Sequence, residues 1–407
     1  MSKKRDSQIK TYNKTILNEK RNCRKEIIME TKNRNKSLNV PNLRFPEFDG
    51  EWEIKEIKEI LKIGSGRDYQ NLKGGDIPVY GTGGYMTSVN QFLYDGESVC
   101  IGRKGTINKP FFLTGKFWTV DTLFYTYEYK DIIPKYLFYT FQKINWLKYN
   151  EASGVPSLSK STIEKISVCI PKNDEEQEKV AKFFSLIDER IATQNKIIEK
   201  LESLINGLNE KLLSGEMADK IFKLSDICEI RSGYSGTQIN GSEGLKVSRI
   251  ETISQHRIDL NRVGHVNSFN SANYYKLHVG DILFSNINSV QYIGNTAYVD
   301  KEYNLYHGMN LLRLIPQHKI VEPLYIFLLL NTKKLRGYFQ TICNKAVSQA
   351  SINQTELGKT IVRLPSINRQ CRICQIYKDV YAKKEIEVKT LELFSIQKQY
   401  LLRWMFI

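Results

Sequence analysis

The 407-residue sequence predicts an α+β fold: two mixed α/β domains separated by two long helices that form an antiparallel coiled coil, with pseudo-two-fold symmetry. Three observations predict it. A short apolar motif occurs twice, each copy opens a strand-rich stretch broken by glycine turns, and each stretch ends on a proline followed by a long helix.

Residues 1–38 come first, as a basic N-terminal extension. They hold twelve Lys or Arg against four Asp or Glu, a net +8 that is half of the chain's +16. Apolar periodicity is scant there. Three readings stay open: a solvated arm, an upstream start with translation beginning at Met29, or an arm that touches nucleic acid. The segment has no apolar signal core, so export is not expected.

The repeat follows. Trp52-Glu-Ile-Lys-Glu-Ile-Lys-Glu-Ile60 aligns with Phe222-Lys-Leu-Ser-Asp-Ile-Cys-Glu-Ile230, and both run into turns, Gly64-Ser-Gly66 and Ser232-Gly-Tyr-Ser-Gly236. In the first copy 77–80 and 98–101 read as short strands and 118–127 as a longer one. In the second, 281–284 and 311–315 stand in matching places. An apolar helix closes each stretch, 135–146 and 323–339. A further shared block, 158–171 against 352–365, reads as a short helix and a strand stopped by proline.

The long helices decide the architecture. Val180, Phe184, Ile187, Ile191, Gln194, Ile198, Leu201, Ile205, Leu208 and Leu212 alternate spacings of four and three, a heptad seam with one polar layer at Gln194. A straight helix of 3.6 residues per turn would drift off that pattern. In the second helix Ile373, Tyr377, Val380, Leu391, Phe394, Leu401 and Met405 fit the register, with Lys384, Glu387 and Lys398 as polar members. A seam this long must be buried, and the nearest partner is the other copy. The first seam spans roughly 50 Å at ~1.5 Å per residue, enough to hold two domains apart.

Composition excludes several classes. No apolar run approaches the ~18–20 residues of a membrane span. The seven cysteines are scattered, and Cys371 with Cys374 lacks a second ligand pair for zinc, so reduced thiols in a cytoplasmic protein and no metal site are expected. No phosphate-binding loop, Asn-Pro-Pro-aromatic methyltransferase motif or His-Glu-x-x-His helix occurs, and the five histidines are dispersed. Catalytic residues are therefore none. The positive charge favours a polyanionic partner.

Two variable domains alternating with two matched helical spacers resemble the specificity subunits of type I restriction-modification systems. Asn39-Val-Pro-Asn-Leu-Arg-Phe-Pro-Glu-Phe48 with Glu51-Trp52 is similar to their opening; Glu176-Gln177 and Tyr400-Leu-Leu-Arg-Trp-Met-Phe406 add to the likeness. The resemblance covers about residues 39–407. It implies target recognition domains at 39–171 and 219–365, a central helix at 172–218 and a C-terminal helix at 366–407. It further implies a non-catalytic, cytoplasmic protein that reads a bipartite, asymmetric site in double-stranded DNA. Two copies of a methyltransferase (modification) subunit would dock on it, and through them a restriction subunit that translocates DNA. S-adenosylmethionine and ATP would sit on those partners, leaving no cofactor on this chain and no membrane role. Half-sites about one duplex turn apart, ~34–36 Å, suit such a reader.

Within the first domain the best DNA candidate is Ile101-Gly-Arg-Lys-Gly-Thr-Ile-Asn108, where Arg103 and Lys104 can donate to phosphates or a guanine edge between glycines. Arg67, Lys73 and Tyr85, with Tyr69 and Tyr80, lie on loops near Gly81-Thr-Gly-Gly84. In the second domain Asn286 and Asn288 stand in place of the basic pair and suit an adenine edge; Lys246 and Arg249, with Tyr234 and Tyr292, support them. Asp121 and Asn310 follow these loops at comparable places. The other reading of the chain is a coiled-coil scaffold whose heads bind protein or RNA; competition between duplex DNA and RNA separates the two.

Overall fold

A computed structural model describes residues 39–214, 219–241, 243–254, 256–346 and 349–407. The basic extension at 1–38, and residues 215–218 at the end of the expected central helix, lie outside the described residues. By their contacts the residues form two compact units: residues up to Ala192 with Glu392–Ile407, and Thr193–Leu391. Each long helix is therefore divided between both units.

The first unit contains β1 (Glu53–Glu56), α1 (Ile57–Ile60), β2 (Lys62–Ser65), β3 (Gly74–Gly81), β4 (Gly84–Val89), β5 (Tyr94–Asp95), β6 (Ser98–Gly102), β7 (Phe111–Leu113), β8 (Lys116–Thr119), β9 (Leu123–Tyr127), α2 (Pro134–Lys143), α3 (Lys160–Glu164) and β10 (Ser167–Ile170). Its sheets run β2-β9-β6-β7 and β4-β3-β8-β5, with a separate β1-β10 pair. The stretch expected as one strand at 118–127 is two. Val120 N–H donates to the Tyr80 carbonyl and Leu123 N–H to the Val120 carbonyl, and this turn hands the chain from β8 in one sheet to β9 in the other.

The second unit contains β11 (Lys220–Lys223), α4 (Leu224–Ile227), β12 (Cys228–Ser232), β13 (Leu245–Val247), β14 (Gly264–Val266), α5 (Ala272–Tyr275), β15 (Ile282–Phe284), β16 (Ile287–Asn288), β17 (Thr296–Tyr298), β18 (Leu312–Pro316), α6 (Pro323–Leu330), α7 (Lys333–Ile342), β19 (Asn344–Lys345), β20 (Ala350–Ser351), α8 (Gln354–Gly358) and β21 (Ile361–Leu364). Its sheets are β12-β18-β15-β17, β16-β20-β19, β13-β14 and β11-β21. The single helix expected over 323–339 breaks at Asn331-Thr332. The Thr332 hydroxyl caps a new helix, α7, by accepting from Leu335 N–H.

The repeat is real, but its register differs by three residues from the sequence alignment. α1 and α4 begin at Ile57 and Leu224, so Ile57 matches Leu224 and Ile60 matches Ile227. In both copies a carboxylate in the first turn accepts from the backbone that precedes the helix: Glu59 from Glu56 N–H at 2.6 Å, Asp226 from Lys223 N–H at 2.9 Å. Apolar residues three apart on either side of these helices let the sequence slide by one step without penalty. The later block, 158–171 against 352–365, keeps its alignment; Ser159 and Asn353 both cap the short helix after them.

The long helices are Asp174–Leu212 (henceforth the central helix) and Ile367–Met405 (the C-terminal helix). Within the first unit Phe184 packs on Phe406 (ring centroids 5.6 Å) and Asp188 meets Lys398 at 2.6 Å. Within the second, Gln194 donates to the Glu387 carbonyl at 3.0 Å, Glu202 pairs with Lys384 at 2.7 Å, and Tyr377 Oη donates to Asn209 at 2.7 Å. Partner numbers fall as central-helix numbers rise, so the helices pair antiparallel in each unit. Val180, Phe184, Gln194 and Ile205 are buried, and Ile187, Ile191, Ile198, Leu201, Leu208, Leu212, Val380, Leu391, Phe394 and Leu401 half-buried. The polar seam members are partnered across it, not apolar gaps.

Candidate nucleic-acid interface

The opening and closing segments build one anchor in the first unit. The Glu176 carboxylate, 2% exposed, receives Arg44 through two 2.7 Å bonds and Trp52 Nε1 at 3.3 Å. The hydrogen bond to Glu176, with the charge itself, raises the Arg44 pKa further. Phe406 packs tilted against Tyr136 (ring centroids 5.2 Å), and Lys143 Nζ donates to the Phe406 carbonyl at 2.6 Å.

On this frame sits the loop after β6. Gly102 is required there, since a Cβ would overlap the Thr106 carbonyl, and Gly105 has φ +96° and approaches Thr82 of the β3–β4 hairpin turn. The loop is hooked at both ends: Arg103 N–H donates to the Thr122 carbonyl at 2.8 Å, and Leu158 N–H donates to the Arg103 carbonyl at 2.9 Å. Both Arg103 and Lys104 are exposed and enter no ion pair among the described residues; the Arg103 guanidinium reaches the Asp121 carbonyl at 3.4 Å. They line an open cleft of about 670 Å³ with Ser65, Asp121, Glu151 and Lys160. Side chains on a rigid, hydrogen-bonded loop, facing an open cleft, are placed to meet a groove edge or a phosphate.

The remaining first-domain candidates are more spread out. Arg67 is exposed, its carbonyl taken by Trp118 Nε1 at 2.8 Å. Tyr85, 63% exposed, bonds Ser88 at 3.1 Å beside Tyr80, and exposed Lys73 flanks Asn90 through the backbone. Gly81 and Gly84 close a hairpin, with φ +107° at Gly84.

The second unit repeats the second of these hooks with other side chains. Ile352 N–H donates to the Asn286 carbonyl at 2.9 Å, as Leu158 does to Arg103. Ile101 pairs with Phe124 where Phe284 pairs with Leu312. Arg103 thus corresponds to Asn286, but Lys104 corresponds to Ile287, and Asn288 falls at Gly105; the expected exchange of two bases for two asparagines holds at one position. Asn286 Nδ2 donates to the Ile352 carbonyl at 3.3 Å and Asn288 Nδ2 to Ser285 at 3.1 Å, so both amides are partly spent inside the fold. Arg67 N–H donates to the Thr119 carbonyl where Tyr234 N–H donates to that of His307. Tyr234 stacks on Phe269 at 3.9 Å, and Tyr292 is 51% exposed. Lys246 and Arg249 are exposed, Arg249 lying 3.4 Å from Glu251. On the same count Asp121 corresponds to Met309, and Asn310 to Thr122. Lys160, which shares the cleft with Arg103 and Lys104, was not among the residues expected from sequence; it stands opposite Gln354 in the aligned blocks.

The family model for the type I restriction modification DNA specificity domain matches residues 49–203 and 219–393. The chain belongs to that family. Its members are non-catalytic subunits for DNA sequence recognition that work with methyltransferase and restriction subunits. Among relatives of this specificity subunit, the MjaVIII specificity subunit of Methanocaldococcus jannaschii is 25% identical, over 91% of this chain and 95% of its own length. The MjaX specificity subunit of the same organism is 41% identical over 164 residues, 39% of either chain. The solved S subunit of a type I restriction-modification system from M. genitalium shares the fold at a TM-score of 0.62 and 13% identity, over 90% of this chain and 99% of its own. No helix among the described residues is long and apolar enough to cross a membrane.

Proposed function

We propose that this specificity subunit reads a split, asymmetric site in duplex DNA, one half with each head, and performs no chemistry itself. The observation that carries this is the matched pair of hooks bearing unlike side chains: Arg103 and Lys104 in one head, Asn286 and Ile287 in the other. One backbone frame with two linings suits two different half-sites, since base-edge readout depends on donor and acceptor identity. Arg103 is the leading base or phosphate contact of the first head, with Lys104, Arg67, Lys73 and Tyr85 around it; Asn286, Asn288, Lys246 and Arg249 serve the second.

On this reading two copies of a modification subunit dock on the chain and carry S-adenosylmethionine, and a restriction subunit that uses ATP joins them, all in the cytoplasm. The repeated β1-β10 and β11-β21 pairs and the antiparallel helices supply like features for like partners. Mapping modified adenines in the host genome tests the reading. A split motif that vanishes when this gene is deleted supports it; an unchanged methylome overturns it.

A further inference from the structure

We propose that Lys160 is a further DNA contact of the first head, and that the two heads divide the work unequally, the first gripping its half-site through charge. The inference rests on the DNA-reading role above and deepens it. Lys160 is exposed at the start of α3 and lines the cleft that holds Arg103 and Lys104. Three strands of argument converge on it.

The first is placement. Ser157 bridges to Lys104 and Leu158 N–H binds the Arg103 carbonyl, so the segment that carries Lys160 is pinned to the basic loop by backbone bonds. The second is availability. The Lys160 ammonium lies 3.7 Å from the half-buried Glu164, a long i,i+4 pair that a phosphate can displace. Of the carboxylates in the cleft, Glu151 already accepts from the Ser159 hydroxyl at 2.8 Å and from Thr162, which hold its pKa below the usual carboxylate range. Asp121 remains, beside Arg103, and a carboxylate among cations suits a cytosine amino group next to a phosphate.

The third is the comparison between heads. At the structurally matched positions the first head carries Arg67, Arg103, Lys104 and Lys160, and the second carries Tyr234, Asn286, Ile287 and Gln354. Four cations become four neutral residues on the same frame. The Gln354 amide is also engaged within the fold, donating to the Ile230 carbonyl at 2.7 Å. Cations that neutralise phosphates release counterions, whereas neutral side chains do not, so these four matched positions add to the salt dependence of the first head and not to that of the second.

The test uses the full specificity subunit in complex with its modification subunits, and a fluorescein-labelled duplex carrying the mapped motif. Affinity is measured from low to high salt for wild type, Lys160→Gln, Lys160→Arg and Lys165→Gln. Lys160→Gln installs the residue that the second head carries at the matched position, so the fold accepts it. The slope of log K against log salt should flatten by about 0.9 for Lys160→Gln, the value of one phosphate contact. Lys160→Arg should restore it, and the exposed control Lys165→Gln should leave it unchanged. Equal slopes for Lys160→Gln and Lys165→Gln overturn the inference while the reading of the chain stands. A wild-type complex that binds the motif no better than a scrambled duplex overturns the reading itself.

Discussion

Gln177 and Gln370 make the same pair of hydrogen bonds in the two halves of the chain. Each is buried in the first turns of a long helix. Gln177 accepts from Ile133 N–H at 2.9 Å and donates to the Pro171 carbonyl at 3.1 Å; Gln370 accepts from Glu322 N–H at 3.0 Å and donates to the Pro365 carbonyl at 2.9 Å. Ile133 and Glu322 both precede a helix that begins with proline, α2 and α6. One amide thus ties helix, strand end and helix start together in each unit.

Gln177→Leu and Gln370→Leu should each cost about 1–3 kcal/mol, because each leaves a part-buried N–H and a buried carbonyl unpaired. Calorimetry should show Gln177→Leu lowering the transition of the first unit and Gln370→Leu that of the second. A loss under half a kcal/mol in both would show that water replaces the amide.

Glu176 sets a harsher dependence. Removing Arg44 leaves a carboxylate that is 2% exposed with only Trp52 and the helix start to hold it. Arg44→Met should destabilise the first unit by about 3–5 kcal/mol. Chemical denaturation followed by Trp fluorescence reads this, since Trp52 shares the site.

The polar layer of the seam predicts coupling. Gln194 is buried and bonds both the carbonyl and the side chain of Glu387, whose carboxyl Lys383 and Gln194 hold below its ordinary pKa. Gln194→Leu and Glu387→Leu should each destabilise the second unit, and the double variant should be more stable than either single one. In wild type this contribution is present near neutral pH and is lost as pH falls through the lowered pKa.

His307 supplies a pH dependence of the opposite chemical kind. Burial pushes its pKa down to about 4, and Nε2 lies 2.9 Å from the Leu311 carbonyl. The unfolded chain binds the proton first, near pH 6.5, so stability falls as pH drops from about 6.5 towards 4, by on the order of 3 kcal/mol in full. Melting of the second unit at steps between pH 7 and 5 should show the drop, and His307→Gln should remove it.

Arg103→Ala should weaken binding of cognate duplex by roughly tenfold or more, within the ~1–3 kcal/mol of a base-reading pair, and leave co-purification of the modification subunits intact. A titration with unchanged affinity removes Arg103 from the interface.

The sequence made the long helices legible because a seam repeating every three and four residues cannot serve any other structure. It also made the Arg103 loop legible, since glycines at 102 and 105 flank a basic pair. Registers were harder. Ile54, Ile57, Ile60 and Ile63 recur at equal steps, so the start of the repeat could be slid by three, and only the strand pairing of Glu53 with Ile170 and Lys220 with Leu364 settles it. The break at Asn331-Thr332 was hidden because an apolar run reads alike in one helix or two. The place of Lys160 beside the Arg103 loop was hidden for a different reason: that loop is distant in sequence, and the alignment of 158–171 with 352–365 sets Lys160 opposite Gln354 without showing what either one faces.

The core of the first unit includes Leu402, Met405 and Phe406 as well as Trp52, Tyr136 and Phe184. The second unit, by contrast, is one unbroken span, Thr193–Leu391. During synthesis the later-made unit therefore has all its parts on hand before the earlier one does. Until residues 402–406 are made, Tyr136 and Phe184 lack the Phe406 ring that packs against both.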